Sequence, residues 1–154
     1  MNKEKKKYLV SATLGLTYLI ADLLTKAWAM SDAYEPVTFI KGFFYLAPHQ
    51  TNNGIAFGIP LPTVIQIVGS LFILGLLFAF GRDQIFKAKG GYLKPALFGM
   101  VIGGALGNLV DRVSQGYVAD FIVLKPFPVF NVADIGITVG LSLLFLLFLL
   151  ESKQ

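Results

Sequence analysis

The side chains that could do chemistry cluster in one part of the chain: three carboxylates, two carboxamides and a guanidinium. Asn108, Asp111 and Arg112 are spaced i, i+3 and i+4, and Asn131 and Asp134 are spaced i, i+3. Residues at these spacings share one face of a helix. Each one alone has a structural explanation, such as a helix cap or a favourable interaction with a helix dipole. Their convergence favours a site. The residues are Asn108, Asp111, Arg112, Asp120, Asn131 and Asp134.

The residue types that are rare or absent exclude most hydrolytic chemistries. The chain has no cysteine and one histidine, which removes thiolate nucleophiles, Cys-based zinc sites and multi-histidine metal sites. A Ser-His-Asp arrangement would need His49 with Ser31, Ser70 or Ser114, and no nucleophile-elbow sequence supports it. Paired carboxylates remain, because two close aspartates cannot both ionise easily. One can then activate a water while the other protonates the leaving amine.

The elements that must position these groups are membrane-spanning helices. Of 154 residues, 55% are hydrophobic and 14% are charged, whereas a soluble domain carries about 25% charged residues. A spanning helix needs roughly 20 mostly apolar residues. The sequence therefore predicts an all-α integral membrane protein, a bundle of four transmembrane helices forming a single domain over residues 1–154. The predicted spans are residues 8–30, 62–81, 93–110 and 130–150.

The basic residues indicate how the bundle is oriented. The net charge of +4 comes from blocks that flank the apolar segments, a pattern typical of membrane topology and not of nucleic-acid binding. With four spans, both termini and the loop between spans two and three share one side, which the positive-inside rule makes cytoplasmic. We expect an N-in, C-in protein with its acidic groups at the extracytoplasmic face. The basic residues of the cytoplasmic side are Lys3, Lys5, Lys6, Lys7, Arg82, Lys87, Lys89, Lys94 and Lys153.

The two outer loops differ in character from the spans. The stretch between spans one and two reads as short strands at 37–40 and 42–46, broken by proline and glycine. We expect a small extracytoplasmic β-like element around residues 35–58 that lies on the membrane surface. The other outer loop, about 111–129, is expected to be irregular or to contain a short helix.

Small residues recur at four-residue spacing in two spans. Gly99, Gly103 and Gly107 form such a stripe in span three, and Gly136 and Gly140 do so in span four. This spacing allows close approach of a neighbouring helix. We expect it to draw the outer ends of spans three and four together.

Two charges lie within span one. Asp22 and Lys26 are spaced i, i+4 and share a helix face. A charge at mid-bilayer costs about 2.5–3.5 kcal/mol on insertion scales, so such residues suggest function. Two interpretations stay open: a local ion pair with Lys26 extended outward to the interface, or a direct chemical role.

Several ordered motifs resemble those of the bacterial lipoprotein signal peptidases, or signal peptidase II family. The longest is GGALGNLVDR at 103–112. It is followed in register by GYVADFI at 116–122 and FNVAD at 130–134. Two earlier elements also match, DLLTK at 22–26 and NNGIAFG at 52–58. The resemblance covers almost the whole chain, including its length and its four spans.

The resemblance implies an aspartic endopeptidase of the bacterial plasma (inner) membrane, with its active site near the extracytoplasmic face. Its substrates would be diacylglyceryl-modified prolipoproteins, cut immediately before the lipidated cysteine. It further implies no metal and no cofactor, contact with membrane lipids, inhibition by globomycin-type cyclic peptides and a monomer. The catalytic aspartates fall on Asp120 and Asp134. The supporting or substrate-binding positions fall on Asn108, Asp111, Arg112, Asn131, Asn52 and Asp22.

Two other classes of function compete with this interpretation. A small proton- or ion-coupled carrier could use the same carboxylates as a relay, and a non-catalytic membrane subunit could use the glycine stripes to bind partner helices. Placement argues against transport, because the acidic residues gather at one face and span two offers no charged residue.

Overall fold

The computed structural model describes residues 1–48, 50–55, 59–87 and 91–152. Within them the chain forms four helices long and apolar enough to cross a membrane, together with five short strands. His49, Lys89, Lys153 and residues 56–58 of the NNGIAFG motif lie outside the described residues. In chain order the elements are α1 (Lys3–Ala29), β1 (Val37–Ile40), β2 (Phe44–Leu46), β3 (Thr51–Asn52), α2 (Thr63–Gly81), α3 (Leu93–Gln115), β4 (Val118–Ala119), β5 (Ile122–Leu124) and α4 (Val132–Glu151).

The helices extend beyond the apolar stretches that predict them. α1 begins within the lysine-rich tail, where the Asn2 side chain accepts the Lys5 N–H at 2.9 Å. α2 continues as a π-helical segment over Arg82–Lys87. α3 runs on past residue 110 and ends only at Gly116, whose φ of +83° is the left-handed conformation that closes many helices. The extra turn of α3 carries the polar side chains of Asp111 and Arg112 beyond the apolar part of the span.

α3 lies at the centre of the bundle, and its glycine stripe packs against α1. A Cβ added at Gly99 would lie 2.2 Å from the Ser11 carbonyl oxygen, and one at Gly103 would lie 2.3 Å from that of Gly15. Only glycine permits two backbones to approach this closely. The expectation that this stripe draws spans three and four together is therefore wrong.

The contact between α3 and α4 uses Gly104, which lies outside the predicted stripe, and Gly140, which belongs to the predicted stripe of span four. A Cβ at Gly104, one residue further round α3, would lie 2.6 Å from the Ala133 carbonyl oxygen, and one at Gly140 would lie 2.5 Å from a Val101 methyl group. Gly136 faces α1 instead, against the ring of Tyr18. Adjacent glycines on α3 thus serve two neighbours, because successive helical residues point about 100° apart.

The loop between α1 and α2 and the loop between α3 and α4 combine into small antiparallel sheets. β1, β2 and β5 form a three-stranded sheet, and β3 pairs with β4. The expectation of an irregular or helical second loop is wrong, because its β4 and β5 complete sheets whose other strands come from the first loop. These pairings place residue 52, in β3, beside the chain that leads into Asp120, between β4 and β5.

Candidate active site

Asp120 lies in the turn between β4 and β5, with 4% of its surface exposed. Both carboxylate oxygens accept a hydrogen bond from a side-chain amide, Oδ2 from Asn52 Nδ2 at 2.9 Å and Oδ1 from Asn131 Nδ2 at 2.7 Å. Its backbone N–H donates to the Gln50 carbonyl oxygen at 3.1 Å. The chain at Gln50 therefore fixes the backbone of this aspartate, and β3 and the cap of α4 fix its side chain.

Asp134 lies in the first turn of α4 and is half-buried. Asn131 caps this helix: its Oδ1 accepts the Asp134 N–H at 2.9 Å, and Asp134 Oδ2 accepts the Asn131 N–H at 3.3 Å. This reciprocal pair is a capping box. The other oxygen, Asp134 Oδ1, accepts from Asn108 Nδ2 at 2.8 Å. The cap expected from sequence is present, and the same bonds orient the carboxylate.

Asn131 joins the two aspartates. It is fully buried, donates to Asp120 and forms the capping box with Asp134. The two carboxyl groups therefore both contact this one residue, and they are near enough for the Asp134 charge to act on Asp120. Burial raises the pKa of Asp120 to about 6, and the neighbouring Asp134 charge also raises it, against the lowering effect of the amide hydrogen bonds. Asp120 thus binds a proton more readily than an ordinary aspartate.

Lys26 lies behind the pair and points into the protein. It is 3% exposed, and its Nζ lies 2.7 Å from Asp22 Oδ2, 3.1 Å from Asp111 Oδ2 and 2.9 Å from Asn108 Oδ1. The interpretation in which Lys26 extends outward to the interface is wrong, because three buried acceptors hold its ammonium group. Asp22 and Asp111 are likewise buried and form the layer behind the pair.

Arg112 is turned toward α2, and no hydrogen bond joins it to Asp120 or Asp134 within the described part of the chain. Its Nε donates to Gln66 Oε1 at 2.7 Å, and Nη2 lies 3.4 Å from the Gly54 carbonyl oxygen. The Gln66 amide in turn donates to the carbonyl oxygens of Asn53 and Leu61. Arg112 and Gln66 therefore connect α3 and α2 to the loop that carries Asn52.

Sequence reasoning did not single out Gln66. The available signal was a carboxamide within an otherwise apolar span, where an unpaired polar group is expensive. The buried position of Gln66, at 6% exposure, gives it a place in the same polar network.

The serines that could have formed another catalytic arrangement are engaged locally. Ser31, Ser70 and Ser114 each donate their hydroxyl to a backbone carbonyl three or four residues earlier in the chain. Over residues 1–48, 50–55, 59–87 and 91–152, no three Asp, Glu, His or Cys side chains are grouped so that they could hold a metal ion.

Comparison with known proteins places the chain in a family. The model of the signal peptidase (SPase) II family matches residues 14–150. The chain belongs to the signal peptidase II family. A lipoprotein signal peptidase of Staphylococcus carnosus (strain TM300) is 38% identical over 162 residues, covering 97% of this chain and 98% of the relative. One of Bacillus subtilis (strain 168) is 33% identical, covering 92% and 94%.

The fold agrees with that membership. A solved bacterial membrane enzyme, determined by the in meso method, is similar with a TM-score of 0.75 at 30% identity, covering 94% of this chain and 89% of the other. As a signal peptidase II, the protein is a multi-pass membrane protease that processes lipoproteins, and prolipoproteins are its substrates. The family resemblance predicted from the motifs is confirmed.

Proposed function

We propose that Asp120 and Asp134 are the catalytic pair of an aspartic endopeptidase. The observation that carries this is their joint attachment to Asn131, which contacts both carboxyl groups, together with the burial and the neighbouring Asp134 charge that favour a proton on Asp120. Each carboxylate oxygen already accepts one hydrogen bond and keeps a second lone pair. Those lone pairs are free to hold the shared proton and a water molecule.

The reaction is hydrolysis by that water. The ionised carboxylate takes a proton from the water as it attacks the scissile carbonyl, and the protonated carboxylic acid supplies a proton to the leaving amine. Asn52, Asn108 and Asn131 keep the carboxylates in place through the bonds described above. Arg112 and the loop at Asn52 then form the wall against which the peptide backbone of the substrate lies.

The substrate we propose is a diacylglyceryl-modified prolipoprotein, cleaved immediately before its lipidated cysteine. The pair lies at the end of the bundle where α3 ends and α4 begins, opposite the lysine-rich start of α1. The distribution of basic residues supports placing that lysine-rich end in the cytoplasm of a bacterium and the site at the outer face of its plasma membrane. The lipid tails can then stay in the bilayer while the peptide reaches water.

Further properties carried by the family resemblance are part of the proposal. The enzyme works as a monomer in contact with membrane lipids, without a metal ion or cofactor, as one domain over residues 1–154. Globomycin-type cyclic peptides inhibit it by occupying the peptide site beside the two aspartates.

Replacement of either aspartate tests the proposed chemistry. Asp120→Asn and Asp134→Asn should each lower cleavage of a lipidated substrate in detergent by about 10²–10⁴-fold, the usual contribution of a general acid or base. Thermal unfolding should show that both variants fold. Asp32→Asn, an exposed outer-face aspartate, is the matched control and should cleave at the parent rate. Parent-like cleavage by either catalytic variant would reject the pair.

A further inference from the structure

Lys26 has no contact with either catalytic aspartate in the bonds described, yet its ammonium group lies among three buried acceptors. A lysine ammonium has three N–H donors. Here Asp22 Oδ2, Asp111 Oδ2 and Asn108 Oδ1 lie within 2.7–3.1 Å of Nζ. The side chain leaves α1 and reaches α3, so it is a buried connection between two helices.

Two of the three acceptors continue to the backbone beside the catalytic pair. Asp22 Oδ1 accepts the N–H of Ala133 at 2.8 Å, and Ala133 immediately precedes Asp134. Asp111 Oδ2 accepts the N–H of Ala119 at 3.2 Å, and that residue immediately precedes the other aspartate. Each carboxylate that binds the ammonium therefore also fixes the backbone one residue before a catalytic side chain.

The third acceptor sets the orientation of a carboxamide. Asn108 Oδ1 receives hydrogen bonds from Lys26 Nζ at 2.9 Å and from Asn131 Nδ2 at 3.1 Å. If the amide were reversed, its N–H groups would face two other donors, and Asp134 Oδ1 would face an oxygen. The ammonium thus holds the Asn108 amide with Nδ2 toward Asp134 Oδ1, 2.8 Å away.

We propose that Lys26 is a positioning residue for catalysis: through Asp22, Asp111 and Asn108, one ammonium group fixes Asp120 and Asp134 relative to each other. This rests on the proposed aspartic mechanism. A residue that serves only to neutralise buried charge could be replaced whenever the charge balance is kept. A positioning residue cannot, because its hydrogen bond to Asn108 and its ion pairs with Asp22 and Asp111 are lost with it.

Two variants separate these roles. Lys26→Met alone leaves two buried carboxylates without a cation, and breaking a buried pair in this way costs about 3–5 kcal/mol, which threatens folding. Lys26→Met with Asp111→Asn keeps the net charge of the cluster, and the asparagine carbonyl can still accept the Ala119 N–H. Turnover and affinity for a lipidated substrate are measured for the double variant in detergent, with Lys94→Met at the other end of α3 as control.

We expect the double variant to remain folded, with kcat reduced about tenfold or more and KM changed by less than roughly twofold. The Lys94→Met control should leave kcat and KM as in the parent. A folded double variant with parent kcat would overturn the positioning role, and so would one that unfolds while Lys94→Met stays folded, since charge and packing would then account for Lys26. If Asp120→Asn or Asp134→Asn is active, the proposed function fails instead.

Discussion

Opposing effects act on the pKa of Asp120. Burial is the largest and favours the protonated acid, while the amides of Asn52 and Asn131 donate to its oxygens and favour the carboxylate. Burial prevails, and the pKa of Asp120 is raised to about 6. If the singly protonated pair is the active form, the proton is present below that pKa and activity declines as the pH rises through it.

Removing one of the amide donors should shift the pH at which activity declines. Asn52→Leu deletes a donor that stabilises the carboxylate, so the pKa of Asp120 rises and the alkaline limb of kcat/KM moves to higher pH. The pH profile of cleavage in detergent measures this. Asn53→Leu is the neighbouring control, because its exposed side chain makes none of these bonds, and its profile should match the parent. An alkaline limb that stays in place or moves to lower pH in Asn52→Leu would contradict this account of Asp120.

Residue types and spacing predict which polar groups could form a site, but not which partner each group binds. Arg112 shares the i, i+4 face of Asn108 in the sequence, yet it binds Gln66 in another helix. Lys26 pairs with Asp22 as the spacing predicts, and its two further acceptors come from α3, 82 residues away in the case of Asn108. Contacts of that kind depend on which helices become neighbours, and one-dimensional spacing carries no information about this.

The close contact of α1 and α3 positions the buried charges of Asp22, Lys26 and Asp111 behind the two aspartates. Gly103→Ala would put a methyl group 2.3 Å from the Gly15 carbonyl oxygen, backbone that cannot rotate away. We expect the free energy of unfolding to fall by ~1–3 kcal/mol, the usual cost of overpacking. Thermal unfolding in detergent measures this. Gly69→Ala in α2, with nothing within 4 Å, is the matched control and should be neutral or stabilising. Equal stability of the two variants would contradict the packing argument.

The helices follow from the sequence more completely than the strands do. Four long apolar stretches predict four spans, because length and composition alone satisfy the bilayer. β4 has two residues and β5 three, too short for alternating hydrophobicity to identify them. They exist because partners from a distant loop pair with them. The GxxxG stripe likewise predicts close packing but not the partner, since spacing shows a face without saying which helix meets it.

Apolar surface encircles the bundle, and most of the charged groups lie at its two ends. Large side chains such as Val64, Phe72 and Phe80 of α2 are more than half exposed, which water would penalise and lipid would not. The outer hairpin also exposes Phe39, at 57%. Aromatic side chains favour the membrane interface, so the hairpin suits the surface of the leaflet nearest the proposed site.

The orientation of the molecule can be tested with a reporter that the chain does not already contain. The sequence has no cysteine, so a single introduced thiol is unique. With N-in, C-in topology, Lys41→Cys in the β1–β2 turn should react with a membrane-impermeant maleimide added to intact spheroplasts. Lys5→Cys, on the exposed side of α1 near its start, should react only after the membrane is permeabilised. Both variants should cleave substrate, which shows that the labelled molecules are native. The reverse labelling would place the aspartate pair on the cytoplasmic side and the lysine-rich end of α1 outside, and it would overturn the proposed orientation.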